Sequence, residues 1–287
     1  KIGNQITVGL LQSLGRRKDL SEFKDTFGTI LVDECHHIPA STFREVVAQL
    51  HPHYLYGLTT TPKRKYNDEK LIYVYIGDII AEIQGTEITP NTSTAVFPGM
   101  QVIVRETKLV IPFKYTTDLF QLLAKVICCD TARNILISDD ILRLTSDGKK
   151  VLVLSERKEH LEILNLYLKG KSEMIVISGD DSPRGRRSKV KQIEGGHYQV
   201  ILSTDQFFGE GVDLRGITCL ILAFPFSFEG KLMQYIGRLR DIGAQKLIVD
   251  YRDREIPFLE RQFKQRERYY RKTSATISSS GSPEIPS

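Results

Sequence analysis

Along this chain short unbroken apolar runs recur, and each stops at a small or polar residue. Thr29–Val32 stops at Asp33, residues 54–58 at Thr59, Val151–Leu154 at Ser155 and Met174–Ile177 at Ser178. Residues 200–202 stop at Ser203, 219–223 run up to Pro225, and 247–249 stop at Asp250. Continuous Val/Ile/Leu runs, rather than alternating ones, mark parallel strands covered on both faces. Between them lie stretches of helical spacing at 40–50, 118–144, 157–168 and Pro183–Glu194. Strand alternating with helix predicts right-handed βαβ units and an α/β fold.

The alternation breaks over 85–112, which is rich in Thr, Pro and Gly. We read it as a crossover between two α/β lobes, with room for a short β-hairpin. Residues 255–272 form a basic helical stretch with Ile256, Leu259, Phe263 and Tyr270 on one apolar side, which predicts packing against the second lobe and leaves the basic side open to nucleic acid. From Thr273 the composition (TSATISSSGSPEIPS) is that of a disordered tail. The predicted organisation is a first lobe at 1–86, a crossover at 87–117, a second lobe at 118–272 and a tail at 273–287.

Composition narrows the function classes. A chain of 287 residues is long enough for two domains. No apolar run approaches the roughly 20 residues of a membrane span, and no signal peptide is laid out at the start. The four cysteines, Cys35, Cys128, Cys129 and Cys219, show no CxxC spacing, which favours a reducing, cytoplasmic location. A net charge of +5 permits a nucleic-acid partner without requiring one. The spacing of Cys35, His36, His37, His51 and His53 fits no familiar zinc site. The chain also begins in the manner of mid-domain sequence, so a preceding segment is expected.

Ligands of open α/β sheets bind at the carboxyl ends of strands, and the chemistry-bearing residues fall there. Leu31-Val32-Asp33-Glu34-Cys35-His36 ends an apolar strand in two adjacent carboxylates. One can hold a magnesium ion while the next orients an attacking water; the lesser reading of the pair alone is a surface acidic turn. Thr59-Thr60-Thr61-Pro62 ends the next run, where hydroxyls can bond the carboxylate strand and a facing loop. Ser203-Thr204-Asp205 precedes Gly209-Glu210-Gly211-Val212-Asp213, whose glycines let backbone approach a ligand. Gln234-Tyr235-Ile236-Gly237-Arg238-Leu239-Arg240 carries two arginines able to stabilise charge on a transferring phosphoryl group. Lys63-Arg64-Lys65 reads equally as a contact to a phosphate backbone and as a solvated loop, whereas the cluster Arg184, Arg186, Arg187, Lys189 and Lys191 reads as a solvated helix face.

Together these segments resemble superfamily 2 helicases over roughly residues 5–272. DECH resembles the DEAD/DEAH-type box, TTTP the third motif with Thr60 in place of the usual alanine, GEGVD the fifth, and QYIGRLR the sixth. One departure is that the second arginine of the sixth motif should fall at 241, which is Asp241, while Arg240 sits one residue early. The flanking text is most similar to bacterial helicases of defence and restriction systems. The resemblance implies two RecA-like parallel-sheet lobes, the first incomplete, with ATP and Mg²⁺ bound between them. It places Asp33 on the metal, makes Glu34 the general base, and gives catalytic roles to Arg238 and Arg240. His36, Gly211, Asp213, Gln234 and Gly237 would line the nucleotide. Thr59, Thr61, Lys63, Arg64, Ser155 and Thr204 would meet nucleic acid, DNA in preference to RNA.

The family's phosphate loop, GxxxxGK[ST], has no counterpart here and would precede Lys1, so these residues alone are expected to be inactive. Nuclease or other defence-system partners are implied upstream or as subunits. The alternatives are a duplex-DNA translocase subunit of such a complex and a nucleotide-gated binding clamp without turnover.

Overall fold

A computed structural model describes residues 5–17, 19–59, 70–82, 100–204, 214, 216–226, 232, 235–236, 246–273 and 275–279. The chain divides into two units, Lys1–Ile83 and Gln84–Ser287.

In the first unit, α1 (Leu11–Leu14) is followed by β1 (Thr29–Val32), α2 (Ser41–Ala48), β2 (Tyr54–Gly57) and α3 (Lys70–Tyr75). β1 and β2 pair in parallel, with Thr29 opposite Tyr54 and Val32 opposite Gly57. Val32, Cys35, Ile38, Val47 and Ile72 form the core on one side of this pair. The other side differs from the expectation of strands covered on both faces, because Leu31, Tyr54 and Leu58 are exposed there.

The second unit is built on a parallel sheet in the order β5-β6-β4-β7-β8-β3-β9. Its strands are β3 (Met100–Glu106), β4 (Val151–Leu154), β5 (Met174–Ile177), β6 (Val200–Ser203), β7 (Cys219–Leu222), β8 (Lys246–Arg252) and β9 (Thr276–Ser279). Its helices are α4 (Phe120–Cys129), α5 (Thr131–Ser146), α6 (Lys158–Leu168), α7 (Pro183–Glu194) and α8 (Pro257–Lys272). The central runs are buried on both faces. Leu152, Ile201, Leu220 and Ile248 pack toward Ile193 of α7 and Phe263 of α8. Val153, Leu202, Ile221 and Val249 pack toward Ile141 of α5 and Leu164 of α6. Uninterrupted apolar strands are what this two-sided burial selects.

Three expectations are corrected. Part of the 87–117 crossover is β3, an interior strand lying between β8 and β9, while residues 87–99, where a hairpin had room, lie outside the described residues. Its apolar residues Val102, Ile103 and Val104 are buried, so pairing at long range overrides the loop-like composition around them. Within the 273–287 tail, β9 pairs with β3, and Ile277 packs against the core. Finally, the single helix at 118–144 is two, because Asp130 adopts extended backbone and its side chain accepts the Arg133 N–H as the N-cap of α5. Among the described residues no helix is long and apolar enough to cross a membrane.

Candidate functional site

Parallel pairing of β1 and β2 carries the carboxylates and Thr59 to one edge of the first unit. Leu58 N–H donates to the Val32 carbonyl at 2.8 Å, and Cys35 N–H donates to the Leu58 carbonyl at 2.9 Å, so the two strand ends are stitched together. Between these bonds Glu34 sits at φ 50°, ψ 45°, the left-handed region. For a residue with a Cβ that conformation costs roughly 1–2 kcal/mol, and such outliers gather at functional sites. The turn is held by its neighbours: Glu34 N–H donates to Asp33 Oδ1 at 3.0 Å, and His37 N–H donates to the Glu34 carbonyl at 3.0 Å. Gly57 is part of the same construction. A Cβ there would lie 2.7 Å from Cys35 Sγ and 2.9 Å from Ile76 Cγ2, so glycine lets β2 pass close under the carboxylate turn.

His36 joins the two motifs. Its Nδ1 lies 3.1 Å from Thr59 Oγ1 and 3.0 Å from Glu34 Oε2, so one ring nitrogen touches both the second carboxylate and the threonine loop. Asp33 is exposed at the end of β1 and offers an oxygen donor of the hard kind that magnesium takes.

In the second unit β4, β6 and β7 end side by side, with Leu154 opposite Ser203 and Leu222. Ser155 and Thr204 therefore stand at neighbouring strand ends, and Ser155 N–H donates to the Ser203 carbonyl at 3.2 Å. Their hydroxyls face different circumstances. Asn134 Nδ2 donates to the Cys128 carbonyl at 2.8 Å, which turns Oδ1 toward His160 Nε2 at 3.0 Å. That nitrogen must then carry the proton. Burial, with the nearby Arg133 charge adding, lowers the His160 pKa to about 3, so the ring is neutral and its Nδ1 accepts from the Ser155 hydroxyl at 3.1 Å. The Ser155 oxygen in turn accepts the Arg157 N–H at 3.2 Å. Ser155 thus points inward, with its hydroxyl proton engaged by His160. Among the described residues the buried Thr204 Oγ1 has no hydrogen-bond partner, an orphan that costs roughly 1–3 kcal/mol until something pairs with it.

Of the other site residues, Thr61, Lys63, Arg64, Gly211, Asp213, Gln234, Gly237, Arg238 and Arg240 lie outside the described residues. Sequence reasoning missed His160 and Asn134, because a lone histidine and asparagine on helices carry no motif. Their only signal is a polar residue at a core position of an otherwise apolar helix face.

Comparison with known proteins bears on both units. Residues 1–64 match the family described as type III restriction enzyme, res subunit, and residues 132–243 match the helicase conserved C-terminal domain. A protein of Acanthamoeba polyphaga mimivirus named as an ATP-dependent RNA helicase is 25% identical over 281 residues, covering 94% of this chain and 52% of the relative. The DNA 3'-5' translocase XPB2 of Sulfurisphaera tokodaii is 23% identical over 262 residues, covering 80% of this chain and 59% of the relative. The chain therefore spans about half the length of the curated relatives it matches. Among solved structures, Saccharomyces cerevisiae Dbp5 bound to RNA and ADP BeF3 has a TM-score of 0.55 at 12% identity, covering 89% of this chain and 60% of that one. Phage T4 UvsW has a TM-score of 0.51 at 16% identity, covering 94% and 56%. At these identities the two structures speak for the fold alone.

Proposed function

We propose that the chain is part of a superfamily 2 helicase and that the whole protein is an ATP-driven motor that moves along nucleic acid. The observation that carries this reading is the stitched pair of strand ends in the first unit, where Asp33, Glu34, His36 and Thr59 converge. A carboxylate that can hold a metal stands beside one that can take a proton, and a histidine links the second to a hydroxyl loop.

In this reading Asp33 holds Mg²⁺, which would neutralise charge on the ATP phosphates. Glu34 orients and deprotonates the attacking water. Gly211, Asp213, Gln234 and Gly237 bind the nucleotide, while Arg238 and Arg240 supply positive charge to the transferring phosphoryl group. His36 conveys the state of Glu34 to Thr59. Thr59, Thr61, Lys63, Arg64 and Thr204 contact the strand, and Ser155 braces the loop beside Thr204. DNA is the favoured strand. The match of residues 1–64 to a restriction-enzyme subunit favours a second form of the same reading, a duplex-DNA translocase in a restriction or defence complex with nuclease partners. Strand-displacement and triplex-displacement assays separate the two.

The test uses the full-length protein. Glu34→Gln keeps the side chain's shape and leaves Asp33 in place, so ATP should still bind while turnover nearly stops. Arg238→Ala should cost on the order of 10³ in rate, by analogy with arginine fingers, and should weaken the effect of a non-hydrolysable ATP analogue on strand affinity. Full turnover and full coupling in Arg238→Ala would overturn this assignment of the site.

A further inference from the structure

Helix α8 (Pro257–Lys272) lies beyond the residues matched to the helicase C-terminal domain. Its buried stripe runs through Leu259, Phe263 and Tyr270, and Arg266 falls on the same face. The Arg266 guanidinium is buried and grips Asp250 of β8 with two arms, Nε to Oδ2 at 2.8 Å and Nη2 to Oδ1 at 2.9 Å. The Tyr270 hydroxyl donates to the same carboxylate at 2.8 Å. The remaining arm, Nη1, donates to the Phe226 carbonyl, just beyond the end of β7. One planar group thus fastens α8 and β8 to the segment that leaves β7.

Side-chain contacts extend the chain of connection. The guanidinium carbon lies 5.3 Å from the centre of the Phe226 ring, and that ring meets Tyr235 edge-on with centroids 5.6 Å apart. Leu232, Tyr235 and Ile236 are buried in the same core as Phe263 and Tyr270. Tyr235 is the second residue of QYIGRLR, three before Arg238. A second buried guanidinium works on the other end of this segment: Arg133 donates from Nη1 to the Ala223 carbonyl at 2.6 Å and from Nε to Asp253 Oδ1 at 3.1 Å. The segment from Ala223 to Phe226 is therefore held at both ends by arginines, each neutralised by an aspartate in β8 or just past it.

A buried ion pair is weak evidence for stability, since apolar residues of equal volume often serve as well. What the arginine fork adds is fixed geometry, because it satisfies two acceptors on different elements with one rigid plane. We propose that Arg266, seated on Asp250, is a positioning residue for ATP hydrolysis: through Phe226 and Tyr235 it sets the segment that carries Arg238. The inference rests on the reading above, in which Arg238 serves the phosphoryl group.

The experiment measures kcat and KM for ATP in the full-length protein, with melting temperature alongside. Arg266→Lys keeps the charge beside Asp250 but loses the fork. It should lower kcat on the order of tenfold while leaving KM within about twofold, the pattern of a misplaced group rather than a lost binding contact. Phe226→Leu removes the ring between Arg266 and Tyr235 without touching the ion pair, and it carries the test if Arg266→Lys does not fold. Each change is also made in Arg238→Ala. A residue that acts through Arg238 should cost nothing further there. Equal kcat losses in both backgrounds, or a lowered melting temperature with unchanged kcat for the folded protein, would overturn the positioning role and leave the site reading standing. Unchanged kcat in Arg238→Ala alone would instead overturn the site reading, and this proposal with it.

Discussion

His160 shows how much one neutral side chain can organise. It receives the Ser155 hydroxyl on one nitrogen and bonds Asn134 with the other, so a strand end, α5 and α6 meet on a single ring. That arrangement requires neutrality, and burial lowers its pKa from the usual 6.5 to about 3. The sign of the pH effect follows. Below 6.5 the unfolded chain takes up a proton that the folded chain refuses, so the stability tied to this ring is fully present above 6.5. It declines as pH falls from 6.5 toward 3, with a slope approaching about 1.4 kcal/mol per pH unit. His160→Gln retains a donor and an acceptor but has no proton to gain. Urea unfolding between about pH 4.5 and 7.5 should therefore show a shallower acid-side decline in the variant than in the parent, other groups contributing equally to both. Identical slopes would mean that the ring is not held neutral.

At the scale of elements, β9 is short and polar yet closes one side of β3. Ending the chain at Lys272 would turn β3 (Met100–Glu106), which carries the buried residues Val102, Ile103 and Val104, into an edge strand, and such edges invite pairing with other chains. The shortened protein should melt at a lower temperature and scatter light on concentration; if it behaves as the parent does, β9 is dispensable. Elements that bury themselves locally were readable from sequence. The runs at Val151–Leu154 and Met174–Ile177 and the helix at Pro183–Glu194 form where their apolar residues place them. β3 and β9 were not, because both gain their character from partners far along the chain and their own neighbourhoods read as linker. The site divides in the same way. Asp33 and Glu34 stand out because strand, carboxylates and histidine are contiguous, whereas the brace on Ser155 is assembled from α5, α6 and β4. Arg266 left a faint trace in the helical phase, being three residues after Phe263 and four before Tyr270. One arginine on an apolar stripe is ordinarily read as reaching back to water, and here it is sealed in by Asp250 instead.

For the whole molecule, the proposed motor role asks the protein to follow a backbone that is the same at every step. Its affinity for a strand should then depend on salt more than on sequence. On single strands, log K should fall linearly with log salt by about 0.7 for each phosphate neutralised, and by about 0.9 on duplex DNA. Isotherms over a salt series, on oligonucleotides of unrelated sequence, check this; a flat salt response or strong sequence preference would point to another partner. The order of strands in the second unit also has a consequence for how the protein is made. β3 begins at Met100, but its two neighbours begin only at Lys246 and Thr276. At a synthesis rate of roughly 5–20 residues per second, β3 leaves the ribosome on the order of ten seconds before anything exists for it to pair with. Until then its apolar residues are exposed to solvent. The nascent chain therefore carries a sticky segment until β8 has been made, which makes it a natural client for chaperones that shield extended apolar stretches.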